Sequence, residues 1–307
     1  MGVMKIAAIG ECMVEFAPDG KDGWQMGFAG DTFNTLWTLR GLLSDAVTTD
    51  YVSAFGDDEF SRRQLAFFSQ HRIGTADSPR FAGGTPGLYA ITLEGAERSF
   101  TYWRSNSVAR RLTEDGDALA RSLGERALVY FSGITLAILT PAARRDLLAA
   151  IATARTQGSL IAFDPNYRPR LWPDRAMAAA AITEAERVAD IVLPTFDDEH
   201  NLFGDADPAA TARRLADLGV PECIVKNGGQ PALLSVGGKT VAIAAESGAK
   251  AVDTSGAGDA FNGAYLAARL TDHEPAVSAT FAHRVAALAI GVRGALTPFE
   301  VLKTALS

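Results

Sequence analysis

The run Asp253-Thr254-Ser255-Gly256-Ala257-Gly258-Asp259 gathers the residue types that handle a transferring anion. From Ser255 to Gly258 the residues are small enough for successive backbone N–H groups to crowd together, and the Ala-rich stretch Ala260 to Leu270 has the composition of a helix. Backbone donors at a helix start form an anion hole, which stabilises the charge developing on a phosphoryl group during transfer. Asp259 stands at the mouth of that hole, where its carboxylate would repel the phosphate it faces. Two readings are open for it: a general base taking the proton of an attacking hydroxyl, or a side-chain helix cap.

Other nucleotide signatures fail at identifiable positions. A GxxxxGK[ST] loop ending at Gly238-Lys239-Thr240 would need glycine where Leu233 stands, and the GxG of Gly256 and Gly258 runs on to Phe261 instead of a third glycine. Neither HRD nor DFG occurs, which removes the protein kinases. His71, His200, His273 and His283 lack metal-ligand spacing, and Cys12 and Cys223 are too far apart for a CxxC pair.

Asp253 to Leu266 resembles the C-terminal signature of the ribokinase-like (PfkB) carbohydrate kinases. Four further segments precede it, in order along the chain: Ile9-Gly10-Glu11-Cys12-Met13, Gly30-Asp31-Thr32-Phe33-Asn34, Tyr102-Trp103-Arg104-Ser105-Asn106 and Phe163-Asp164-Pro165-Asn166-Tyr167-Arg168. Together they resemble, within that family, the kinases of 2-keto-3-deoxy sugar acids, and the likeness covers nearly the whole chain.

The resemblance implies Asp259 as catalytic base and the backbone of Ser255, Gly256, Ala257 and Gly258 as the anion hole. It implies Gly30, Asn34, Tyr89, Tyr102, Trp103, Arg104, Arg168 and Asp259 around the sugar acid. Such a ligand needs a cation for its carboxylate, aromatic hydroxyls and amides for its hydroxyls, and close backbone approach at a glycine. Arg104 has a second reading, as a partner of Glu97 across a hairpin, and Arg168 as the cap of a strand end. For the nucleotide the resemblance points to Asn166, Tyr167 and Arg168, to Lys226, Asn227, Gly228 and Gly229, to Gly256 and Gly258, and to His283 near the base, where the wider family commonly has Asn. Thr195 and Asp198 stand where many relatives have Asn-x-x-Glu. Asp198 is therefore the candidate to hold Mg²⁺ through water, while Asp197, Asp198 and Glu199 also suit a plain helix N-terminus.

The implied activity is ATP- and Mg²⁺-dependent phosphorylation of 2-dehydro-3-deoxy-D-gluconate at its 6-hydroxyl. The alternatives are a related kinase of a neutral sugar such as fructose or ribose, and a non-catalytic sugar-acid binding protein on the same fold.

These residues need a scaffold, and the hydrophobic pattern supplies one. Strand-length apolar runs at Ile6-Ile9, Thr48-Ser53, Leu128-Phe131, Leu160-Phe163, Ile191-Leu193 and Cys223-Lys226 alternate with stretches of helical period. Thr140-Pro141, Asp207-Pro208 and Thr297-Pro298 each put a capping side chain before a proline that opens a helix. The expected class is α/β and ribokinase-like: one domain over 1–307, with a mostly parallel central sheet flanked by helices and a ligand crevice at the carboxyl ends of the strands. Two regions break the alternation and read as β. Cys12 to Phe28 joins two runs through Pro18, Asp19, Gly20, Asp22 and Gly23, and Gly87 to Arg104 reads as a hairpin turning at Glu94-Gly95-Ala96-Glu97. They form either a small antiparallel lid over the crevice or an extension of the main sheet's edge. As a lid they carry Phe16, Trp24, Phe28 and Phe100, a patch that implies a homodimer with lids packed together, as in the kinases it resembles.

The bulk properties agree. In 307 residues, 48% hydrophobic, 36 acidic and 29 basic residues leave a net charge of −7, the opposite of a nucleic-acid footprint. The apolar runs are short of a membrane span. With two distant cysteines and no secretory pattern at the start, a reducing cytoplasm is expected.

Overall fold

The computed structural model describes residues 3–20, 23–94 and 97–306; Asp22 of the first lid connection and the Gly95-Ala96 tip of the expected hairpin lie outside the described residues. Thirteen strands are described: β1 Lys5–Ile9, β2 Met13–Pro18, β3 Trp24–Ala29, β4 Thr48–Val52, β5 Ile73–Gly74, β6 Leu88–Glu94, β7 Glu97–Trp103, β8 Leu128–Ser132, β9 Leu160–Asp164, β10 Ile191–Val192, β11 Glu222–Val225, β12 Ala232–Val236 and β13 Lys239–Ile243. Nine form one sheet in the order β13-β12-β11-β10-β9-β8-β1-β4-β5. From β5 to β11 the pairings are parallel; β12 and β13 add an antiparallel edge.

The period-two geometry of buried strands sorts their side chains into two cores. Ile6, Ala8, Leu128 and Tyr130 enter one cluster, whereas Ala7, Ile9, Val129 and Phe131 enter the other. Each of the six strand segments expected from the sequence is present, with ends displaced by at most one residue. β5, β12 and β13 were not anticipated. β5 has only two residues, and β13 is exposed along most of its length, so neither offers an apolar run.

Thr140 and Asp207 cap their helices through side-chain oxygens and are followed by proline, as expected. Thr297-Pro298 differs: Pro298 occupies the cap position, the helix is Phe299–Lys303, and no side chain caps it. Thr297 is buried, and its carbonyl instead accepts the Trp37 indole N–H at 2.7 Å.

The lid forms a separate four-stranded sheet, β3-β2-β6-β7, which disposes of the edge-extension alternative. Its two hairpins are antiparallel, and a parallel β2–β6 pairing joins them. In the main sheet β1 lies between β4 and β8, so the direction of strand addition reverses there. Such a switch point opens a crevice beyond the carboxyl ends of the strands.

Two helices bound that crevice, Asp31–Leu42 and Ala257–Leu270. They pack unusually close at Gly263, where an added Cβ would lie 2.6 Å from the Thr35 carbonyl oxygen and 2.7 Å from Thr38 Cβ. Among the described residues no helix is long and apolar enough to cross a membrane.

Candidate active site

A cleft of about 840 Å³ lies between the carboxyl ends of the main sheet and the lid, large enough for two small ligands side by side. The Asp253–Asp259 run forms one end of it. Gly256 precedes the Ala257–Leu270 helix with φ 71°, and a Cβ there would meet Ala295 backbone at 2.9–3.0 Å, so both conformation and space require glycine. Buried Asp253 ties the loop down: its Oδ1 accepts the Ser255 N–H at 3.0 Å and its Oδ2 the Gly294 N–H at 2.8 Å.

This arrangement corrects the expected anion hole in part. The Ser255 amide is held by Asp253 and the Ala257 amide by the Thr254 carbonyl at 3.3 Å. Among the described residues no backbone carbonyl outside the helix takes the Gly256 or Gly258 N–H, so these are the donors left facing the cleft.

Asp259 occupies the third position of the helix and caps nothing. Its Oδ2 accepts from Asn34 Nδ2 at 2.8 Å, while Asn34 Oδ1 accepts the Gly30 N–H at 3.3 Å, which fixes the amide's orientation. Burial raises the Asp259 carboxyl to about 7; the charges of Asp31 and Asp164 push the same way, against Asn34 and Lys226. Gly30 is needed for close approach, since a Cβ would sit 2.2 Å from the Glu11 carbonyl oxygen.

Beneath Asp259 lies a buried polar network. Lys226 Nζ donates to Asp164 Oδ2 and Asn262 Oδ1, both at 2.9 Å, and Asn262 Nδ2 donates to Asp164 Oδ2 at 2.6 Å and Tyr130 Oη at 3.2 Å. Lys226 is thus committed to the floor of the cleft, whereas Asn227, Gly228 and Gly229 line its wall. Gly228 takes φ 55°, open to glycine without strain.

Strand alternation decides which expected residues reach the cleft. At the end of β7, Tyr102 and the following Arg104 line it, while Trp103 points to the opposite face and is 58% exposed. In Asn166-Tyr167-Arg168 the outer two line the cleft and Tyr167 is buried in the core. Trp103 and Tyr167 therefore stand outside the site that their neighbours build. Tyr89 and His283 line the cleft, the latter edge-on to Phe261 at 5.0 Å, with burial lowering its proton affinity.

Neither arginine is free. Arg104 pairs with Glu11, which is buried just beyond β1; the Glu97 side chain, its expected partner across the hairpin, lies outside the described residues. Arg168 Nη1 contacts both Asp198 oxygens, at 3.1 and 3.2 Å, with half of its side chain exposed. Asp197, Asp198 and Glu199 do occupy the first turn of helix Phe196–Phe203, so the helix-terminus reading of these acids holds whatever else Asp198 does. Burial raises the Asp198 carboxyl, opposed by Arg168.

Sequence reasoning missed Glu11, Glu15, Asp31 and Asp164 as cleft residues. Glu15 accepts the Tyr89 hydroxyl. Its inward alternation on β2, two residues beyond Met13, was the available signal.

A Rossmann-like sheet with a β lid, and an acid in the first turn of a glycine-led helix, define a phosphotransferase-type cleft. Residues 3–302 match the pfkB family carbohydrate kinases, and the chain belongs to that family. It is 36% identical to the 2-dehydro-3-deoxygluconokinase of Dickeya dadantii, over 98% of this chain and 99% of that one. It is 35% identical to the enzyme of the same name from Haemophilus influenzae, over 95% of each. Among solved structures, a putative ribokinase II from Escherichia coli in complex with ATP and Mg²⁺ superposes with a TM-score of 0.84 at 22% identity, covering 99% of both chains.

Proposed function

We propose that this protein is an ATP-dependent kinase that phosphorylates 2-dehydro-3-deoxy-D-gluconate on its 6-hydroxyl. The observation that carries the chemistry is Asp259: a carboxyl raised to about 7, oriented by Asn34, beside the glycine-led helix start. Asp259 takes the proton of the 6-hydroxyl as that oxygen attacks the γ-phosphorus in line. The new P–O bond forms while the bond to the ADP oxygen breaks, and ADP leaves with the electron pair. The Gly256 and Gly258 amides and the positive end of the helix stabilise the negative charge that builds on the transferring group.

The residues fit a hydrated Mg²⁺ carried mainly by the nucleotide phosphates. No group of three acids or histidines shaped to hold a metal occurs among the described residues, and Asp198, which lines the cleft, suits a contact through water. Bound there, the ion would neutralise phosphate charge.

The substrate specificity reading draws on the curated relatives together with Arg168. With half of its side chain exposed and only Nη1 engaged by Asp198, Arg168 keeps donors for a carboxylate or phosphate. Arg168→Ala is expected to lower kcat/KM for the keto-deoxy acid about 30-fold or more, the loss of roughly 2 kcal/mol of charge-assisted binding. Activity on a neutral sugar should change far less. The nucleotide KM, measured alongside, separates the two ligands: an equal fall for both sugar classes assigns Arg168 to the phosphates. One observation favours the neutral-sugar reading: Glu11 neutralises Arg104, the other arginine of the cleft.

For the assembly, we propose a homodimer through the lids in the cytoplasm. Of the side chains expected at that surface, Phe28 is buried and Phe16 packs on Phe60, leaving Trp24 and Phe100 exposed; Trp103, not expected there, is exposed as well. The two cysteines are free and buried, as a reducing compartment permits. Sedimentation velocity at micromolar concentration should show a dimer; a monomer alone would contradict the lid contact.

A further inference from the structure

Asp31 opens the helix that faces the Asp259 helix, and both residues line the cleft. The two helices meet at their first turns. Gly263 permits the approach, and Asn34, one turn beyond Asp31, reaches Asp259 at 2.8 Å. The Asp31 carboxylate is held from a third element, just beyond β9, by Asn166 Nδ2 donating to Oδ2 at 2.9 Å. Asn166 is itself fixed: its N–H donates to Asp164 Oδ1 at 3.0 Å, and its φ of 35° is a conformation that Asn tolerates better than most residues.

The cations of the cleft are engaged elsewhere. Lys226 is bound to Asp164 and Asn262, Arg168 to Asp198, and Arg104 to Glu11. The groups facing Asp259 are Asp31 and Asn34 on the opposing helix, Tyr130 on β8, Asp164 at the end of β9, and Lys226 after β11. Among these described groups, only Asp31 carries a negative charge without a cationic partner in contact.

We propose that Asp31 is a positioning residue for phosphoryl transfer, its carboxylate clamped by Asn166 beside Asp259 so that the base is kept ready to accept the substrate proton. The proposal rests on the reading of Asp259 as base. The electrostatics agree in direction: after burial, the Asp31 charge is the largest cause raising the Asp259 carboxyl. A carboxylate of ordinary affinity would be ionised at neutral pH but a weak acceptor, and moving it toward the working pH strengthens it as a base. Asn166 fixes the distance at which Asp31 acts and adds no charge of its own.

The test is the pH profile of the rate with the keto-deoxy acid and ATP both well below their KM values, which reports the free enzyme's groups. Wild type should lose activity on the acid side with a midpoint near the Asp259 value of about 7. Asp31→Asn keeps an oxygen for Asn166 and removes the charge. Its acid limb should move to lower pH by about one unit, raising the ratio of rates at pH 6 and pH 8.5 roughly fivefold. Asp31→Ser should move the limb likewise, and Asp31→Glu should leave it in place. A purely structural role would lower the plateau at every pH without moving the limb, and an unmoved limb in both neutral variants overturns the proposal. Asp259→Asn separates the two failures: a limb that persists in its residual activity defeats the base assignment. A limb that vanishes there but stays at the wild-type pH in Asp31→Asn and Asp31→Ser defeats the role of Asp31 alone.

Discussion

Asp259→Asn is expected to reduce kcat by roughly 10²- to 10⁴-fold with little change in nucleotide affinity. The amide has the shape of the carboxyl and can still accept from Asn34 through its oxygen, so what is lost is the capacity to take a proton. The same substitution should stabilise the fold. In the native state burial and Asp31 raise the carboxyl to about 7, whereas in the unfolded chain it titrates near 4. A raised carboxyl favours folding in its protonated form. Its contribution is therefore full below the unfolded value and is lost as pH rises through the folded one. Three units correspond to about 4 kcal/mol at most, and with the side chain partly open to the cleft about 1–2 kcal/mol is expected. Thermal melts should accordingly show Asp259→Asn gaining on wild type from pH 4 to pH 8. Unchanged turnover, or a variant that loses stability as pH rises, would contradict this account of the residue.

Lys226→Met is expected to cost about 3–5 kcal/mol of stability, because it strands the buried Asp164 carboxylate without its cation. For a chain of this size that is a fall in melting temperature on the order of 10 °C. The loss arises from the uncompensated charge. Lys226→Met combined with Asp164→Asn should thus recover part of it, since the amide oxygen introduced by the second substitution could still accept from Asn262. A single variant as stable as wild type would show that Asp164 finds its compensation in Asn262 and the Asn166 amide alone.

The parts of this molecule that were legible in the sequence are those whose physics is local. The Asp253–Asp259 run announces a helix start, small residues and an acid within seven positions, and the structure assembles them as one unit. The Thr140 and Asp207 caps are equally local, each closing on an amide three residues on. Residues whose role depends on a distant partner stayed hidden. Asp31 meets Asn166 across 135 positions, and Arg104 meets Glu11 across 93. Nothing near Arg104 in the chain reveals that its charge is spent before a substrate arrives. Trp103 and Tyr167 differ again: alternation along extended backbone sends each of them away from the cleft that its two neighbours line.

The measurement that tests the central claim most directly is ADP release by the wild-type protein with ATP and Mg²⁺, over a panel of keto-deoxy sugar acids and neutral sugars. A kinase of 2-dehydro-3-deoxy-D-gluconate should release ADP with that acid at a kcat/KM at least tenfold above fructose or ribose, with the phosphate found on the 6-hydroxyl. Turnover confined to the neutral sugars, or ADP release that no sugar acid stimulates, would contradict it.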